Sequence, residues 1–158
     1  MPQPELTGGC QCGAVRFRAG RLGRSAICHC RMCQKAFGSF FGPLVTAYEV
    51  EWTRGAPKYF RSSNKWRRGF CGACGTPLGG VDDDGGIELA VGAFDDPMLA
   101  APVVQFNRRD RLPLFDTLAA LPPQPDADKE LAHNATIVSH QHPDHDTDTW
   151  PPREGFAA

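Results

Sequence analysis

The chain has 158 residues, is 41% hydrophobic and 22% charged, and carries a formal net charge of −1. That length suits one domain able to bury a core, with room for a tail. No apolar run reaches the roughly 18 residues needed to span a bilayer. The first residues, MPQPELTGGCQCG, lack the basic and apolar regions of a secretory leader. The expectation is a cytoplasmic protein in a reducing setting, whose seven cysteines serve as ligands or reactive thiols rather than disulfides.

The near-neutral total hides an asymmetry. Residues 1–70 carry 12 Lys/Arg against 3 Asp/Glu, a net of +9, whereas residues 71–158 carry 5 against 15, a net of −10. Five of the seven cysteines lie in the basic half. A positive field there lowers thiol pKa values and draws in small anions, and it suits nucleic acid equally.

Residues 13–19 (GAVRFRA) alternate apolar and polar side chains and predict a half-buried strand. A short helical turn is expected over 31–37. The β-branched and aromatic stretches 40–48, 57–62 and 87–94 read as further strands. Trp66 and Phe70, four residues apart, are expected on one face of a strand and in the core. The run VDDDGGIEL signals a hairpin turn, because the spaced oxygen ligands of a calcium loop are missing. PLFDTLAAL (113–121) predicts a second short helix, opened by Pro113 and stopped by Pro122 and Pro123. The pattern gives a mainly β domain of small antiparallel sheets with one or two short helices, covering residues 4–122. Residues 123–158 are rich in Pro, Asp and His and are expected to form a poorly ordered tail, in which HQHPDHD would capture metal only adventitiously.

The cysteines form three clusters: Cys10 with Cys12, Cys28 with Cys30 and Cys33, and Cys71 with Cys74. The first and last pairs are framed by glycines (GGCQCG, FCGACG), which let backbone N–H groups turn toward the sulfurs. Neither pair alone satisfies a tetrahedral ion. Joined, they make a four-sulfur site that staples distant segments together. Cys28, Cys30 and Cys33 then remain, and three protein ligands with an open fourth position is the pattern of a zinc that takes part in chemistry. In an extended Cys-His-Cys the central side chain points away from its neighbours, which puts His29 beside that site or in the pocket wall. Three other readings compete. Disulfides would leave one cysteine over, a single structural zinc would leave three cysteines unrelated, and four thiolates suit iron as well as zinc.

The segments GGCQCGAVRF, CHCRMCQKAFGSF and RGFCGACGTPL, in that order, and more weakly RLPLFDTLAALP, resemble the glutathione-dependent formaldehyde-activating enzyme and centromere protein V family. The resemblance implies a β-tent fold, with zinc sites where two small sheets meet. It implies two zinc ions: a structural one on Cys10, Cys12, Cys71 and Cys74, and a catalytic one on Cys28, Cys30 and Cys33. The chain departs from the family pattern at Gln105 and Phe106, where members often carry a histidine, and at Leu114, where an aromatic is common.

The function expected from this reading is carbon–sulfur lyase chemistry on a thiol–aldehyde adduct such as S-hydroxymethylglutathione. Its partners would be a small thiol, glutathione for example, and an aldehyde such as formaldehyde. The metal would lower the thiol pKa and hold it beside the carbonyl carbon. Arg31, Lys35, Lys65, Arg67 and Arg68 are candidates for an anionic thiol's carboxylates, and His29 for proton transfer. The alternative is a zinc-stabilised module that binds nucleic acid or protein without turnover. The scattered basic residues lack the aromatic interleaving of a single-strand reader and speak against nucleic acid.

Overall fold

The computed structural model describes residues 5–151. The expected domain start at residue 4 and the end of the tail, 152–158, lie outside the described residues. Ten strands form in chain order: β1 (Leu6–Gly9), β2 (Arg16–Ala19), β3 (Arg21–Cys28), β4 (Gly42–Tyr48), β5 (Glu51–Arg54), β6 (Lys58–Arg61), β7 (Trp66–Phe70), β8 (Pro77–Asp82), β9 (Ile87–Ala90) and β10 (Val104–Phe106). Helix α1 (Arg31–Phe37) falls between β3 and β4, and α2 (Ala127–Asn134) lies in the C-terminal segment. The strands make two sheets, β1-β2-β5 and β10-β3-β4-β9-β8-β7-β6. All pairings are antiparallel except β10 with β3. The fold is mainly β, as the sequence predicts.

The core sits between the sheets. Alternation along β2 turns Phe17 and Ala19 inward, and Val45, Ala47, Leu78 and Leu89 of the large sheet meet them. Phe17 is fully buried and packs edge-on against Phe94 at 5.1 Å and Trp52 at 6.0 Å between ring centroids. Cys10, Cys12 and Cys71 belong to this same buried cluster, so one cysteine site is part of the core.

The opposite face of β2 carries Arg16, which is buried because acidic partners cover it. Its guanidinium donates to Asp95 at 2.8 and 2.5 Å and to Asp146 at 2.9 Å. Asp95 also accepts a hydrogen bond from the Thr7 hydroxyl at 2.7 Å. Burial raises the Asp95 carboxyl, but the hydrogen bonds from Arg16 and Thr7 outweigh it and hold the group below the ordinary carboxylate range. A depressed folded pKa gives stability that is complete above the unfolded value of about 3.9 and is lost as pH falls through the folded value. Unfolding midpoints measured from pH 5 to pH 2 are therefore expected to fall more steeply for the native protein than for Asp95→Asn. Equal slopes would contradict the assignment.

Several expected elements form with shifted edges. The helix over 31–37 forms at those bounds, and the Asp-Gly-Gly run closes the β8–β9 hairpin, where Asp82 Oδ1 accepts the Asp84 and Gly86 N–H groups. The segment 113–120 is a 3-10 helix rather than an α-helix. Strand 87–94 ends at Ala90 and continues as a 3-10 turn. Trp66 and Phe70 both lie on β7, but the register shifts between Gly69 and Phe70. Both rings are half-buried and outside the core cluster, with Trp66 over Gly80 and Phe70 at a surface cleft.

Beyond residue 122 the composition suggested no elements. The structure has α2, capped by the Asp126 carboxylate accepting the Lys129 N–H at 2.9 Å, and a segment that returns to the domain. No helix among the described residues is long and apolar enough to cross a membrane.

Candidate metal centres

Two turns, one before β2 and one between β7 and β8, carry the four cysteines predicted to act together. Cys10, Cys12, Cys71 and Cys74 bring all four sulfurs within 4.8 Å of one another. The Sγ atoms of Cys10 and Cys12 are 3.5 Å apart, and those of Cys12 and Cys71 are 3.9 Å apart. A tetrahedral ion with metal–sulfur bonds of about 2.3 Å needs sulfurs separated by about 3.8 Å, so these spacings fit one. Backbone N–H groups already point at the sulfurs, Val15 N to Cys10 at 3.3 Å and Ala73 N to Cys71 at 3.4 Å. Burial pushes the Cys10 and Cys12 thiols up. Burial also opposes ionisation of Cys74, yet hydrogen bonds, first among them from the Thr76 hydroxyl at 3.1 Å, lower it to about 6. Four clustered thiolates repel, and a bound dication relieves that repulsion.

The second centre forms where β3 ends and α1 begins. Cys28 is the last residue of β3, Cys30 caps α1 with its sulfur accepting the Cys33 N–H at 3.4 Å, and Cys33 is buried one turn in. Their three sulfurs also lie within 4.8 Å of one another. Room for them depends on Gly42, which pairs with Cys28 across β3–β4. A Cβ there would come within 2.9 Å of both Cys33 Cβ and the Phe37 ring. The hydrogen bond between Cys33 and Cys28 lowers the Cys28 thiol most, and the Cys30 backbone and Asn107 amide lower it further, to about 5, against burial. The same bond, with burial, raises Cys33. Cys28 thus supplies thiolate at neutral pH, the form a soft-accepting cation binds.

Two flanking donors complete this centre. Asn107 Nδ2 donates to Cys28 Sγ at 3.1 Å, and Arg68 NH2 donates to Cys33 Sγ at 3.4 Å. Sequence reasoning had Arg68 only as one of a basic run and did not single out Asn107. The only trace of Asn107 is its tolerance of left-handed backbone, which it uses here at φ 52°.

His29 stands where the alternation argument put it, away from the sulfurs. It is fully buried; its Nε2 lies 3.0 Å from Gln105 Oε1, and Phe115 stacks edge-on at 4.8 Å. Its Nδ1 has no hydrogen-bond partner among the described residues. Gln34 donates to the His29 carbonyl at 2.7 Å and receives Arg31 at 3.1 Å, so Arg31 braces the β3–α1 turn. Lys35 is exposed beside the cleft that Arg68 also lines. Arg67 lies instead against the Tyr59 ring, and the Lys65 N–H closes a turn through the Ser63 hydroxyl.

The C-terminal segment closes over the four-cysteine turn. His142 donates its backbone N–H to the Gln11 carbonyl at 2.7 Å, and Trp150 Nε1 donates to the Cys12 carbonyl at 2.7 Å. Arg54 donates to the Thr147 carbonyl at 2.6 Å, and Asp146 receives Arg16. The His142 ring fills the space over Gly13, whose φ of +78° and missing Cβ make the contact fit. A chain ending at Val138 loses these bonds, each worth about 0.5–1.5 kcal/mol and more where charged. It is expected to be about 2–4 kcal/mol less stable to urea and to release metal to a chelator faster. An unchanged unfolding midpoint would contradict the docking.

The described residues thus define a small two-sheet protein with two separate cysteine clusters suited to metal ions, one of four sulfurs at the edge of the core and one of three at a helix start. The profile of the family described as glutathione-dependent formaldehyde-activating enzyme matches residues 5–109, and the chain belongs to that family. The crystal structure of a Rhodobacter sphaeroides protein is also similar, with a TM-score of 0.50 and 18% identity over 63% of this chain and 99% of that one. That likeness bears on the fold. Both cysteine clusters fall inside the matched region, and the segment from α2 to Trp150 falls outside it.

Proposed function

We propose that the protein is a zinc-dependent carbon–sulfur lyase-type enzyme that makes or breaks a thiol–aldehyde adduct, of which S-hydroxymethylglutathione is the form suggested by the family. The reading assigns a structural zinc to Cys10, Cys12, Cys71 and Cys74. A second zinc, where the chemistry occurs, is assigned to Cys28, Cys30 and Cys33. The observation that carries it is the difference between the clusters: four sulfurs, three of them buried in the core, against three sulfurs at a helix start, two of them half-buried, beside a cleft. Zinc bound there supplies a Lewis acid that lowers the pKa of a thiol and favours its thiolate.

The chain's own residues do the rest. Asn107 donates to Cys28 and favours its thiolate, and Arg68 donates to Cys33 and opposes the Cys28 hydrogen bond and the burial that raise it. Arg68 also places a fixed positive charge where an anionic substrate arrives, and Lys35 offers a second at the cleft edge. His29 is sealed behind Phe115 and Phe41, with Gln105 on its Nε2. Its role is to fix the Cys28–Cys30 backbone, through its carbonyl to Gln34 and its N–H to the Phe106 carbonyl at 3.0 Å. The departure at Gln105 bears on this directly, since Gln105 sets the orientation of the His29 ring.

The test is a cobalt-substituted protein titrated with glutathione. A saturable change in the sulfur-to-metal absorption is expected, together with faster exchange between formaldehyde, glutathione and their adduct than without protein. A spectrum and rate unchanged by glutathione and by the small thiol 2-sulfanylethanol alike would overturn the reading.

A further inference from the structure

The cleft beside the three-cysteine centre has a lining that glutathione does not match. It lies between α1 and strands β6 to β8 and holds about 430 Å³. Its walls are Met32, Phe37, Phe60 and Phe70, with Lys35 and Arg68 as its two charged groups. No acidic side chain lines it among the described residues. Phe60 is 64% exposed and Met32 52% exposed, so neither is explained by the core. Arg68 joins cleft to centre: its NH2 reaches Cys33 Sγ at 3.4 Å, and its buried Nε has no acceptor among the described residues.

Glutathione carries two carboxylates, an ammonium group and two peptide units. The cleft has no carboxylate to pair the ammonium and few side-chain hydrogen-bonding groups for the peptides. Seating it there leaves polar groups desolvated without partners, which costs about 1–3 kcal/mol each. An apolar or aromatic body meets Phe60, Phe70 and Met32 instead, and a single carboxylate meets Lys35 and the free donor of Arg68. We propose that this cleft takes the body of the thiol partner and selects an apolar thiol bearing one carboxylate over glutathione. The proposal rests on the three-cysteine centre binding a thiol, as set out above.

Calorimetric titration of the metal-loaded protein tests both separately. The probes are 3-phenyl-2-sulfanylpropanoate, 3-phenylpropane-1-thiol, glutathione and 2-sulfanylethanol, the last with no apolar body for the cleft. The phenyl acid is expected to bind at least about tenfold more tightly than glutathione, the scale of a well-buried aromatic ring. Phe60→Ser is expected to weaken the phenyl acid about tenfold relative to 2-sulfanylethanol. Lys35→Gln is expected to narrow the gap between the phenyl acid and its uncharged analogue. Both positions are exposed on the surface, so the fold tolerates the changes. Glutathione binding as tightly as the phenyl acid, or a Phe60→Ser variant with unchanged preference, overturns the cleft proposal alone. Failure of every thiol, 2-sulfanylethanol included, overturns the thiol-binding reading as well.

Discussion

Replacing Cys71 with serine is expected to abolish the folded state. Cys71 is 1% exposed, lies in the core cluster and joins the β7–β8 turn to the Cys10–Cys12 turn about 60 residues earlier. Binding of a structural zinc by four cysteines contributes on the order of 10–16 kcal/mol. That matches or exceeds the roughly 5–15 kcal/mol of net stability of an ordinary domain. A serine hydroxyl is a poor zinc ligand, and it leaves the remaining thiols to bear burial and mutual repulsion without the ion. The expected result for Cys71→Ser is loss of the cooperative thermal transition and of near-ultraviolet circular dichroism. A variant that melts cooperatively near the native temperature would show that the four-sulfur site does not hold the sheets together.

Replacing Cys30 with serine separates function from fold. Cys30 is half-buried, and its structural task is to cap α1 by accepting the Cys33 N–H. Serine is among the preferred residues at that position, so the cap itself is expected to change by no more than about 1 kcal/mol and the variant to fold. On the proposed assignment, the second metal would lose one of three protein ligands. Loss of outer partners alone costs 10–100-fold in metal affinity or activity, so turnover is expected to fall by more than about a hundredfold. Unfolding curves and initial rates on the same preparation check both halves. A Cys30→Ser variant with native turnover would remove the three-cysteine centre from the chemistry.

The parts of this molecule legible in the sequence are those whose signal is covalently local. Glycine-framed cysteine pairs separate from the CHCRMC triplet by spacing, and the structure brings the same two groups of sulfurs together. Alternation in the extended Cys-His-Cys was enough to turn His29 away from the sulfurs. Strand β3, eight residues long, left no such signal. Arg21, Gly23 and Arg24 break its apolar pattern, and a bulge between Leu22 and Ser25 breaks its period. Strand β10 is three residues long, and its parallel pairing with β3 is set by the partner rather than by its own periodicity. The return of residues 141–150 was hidden for a different reason. Much of its docking runs through main-chain carbonyls of Gln11, Cys12 and Thr147, which side-chain patterns do not encode. Arg68 needed the strand itself: β7 sends Arg67 to Tyr59 and Arg68 to Cys33, a division invisible in the run KWRR.

The account turns on two metal ions with different duties, and a zinc count per chain on protein and variant tests it most directly. Two zinc ions per native chain are predicted, and one per chain in a folded Cys30→Ser protein whose remaining ion does not respond to added thiol. One zinc per native chain, or two retained by folded Cys30→Ser with an unaltered response to thiol, would contradict it.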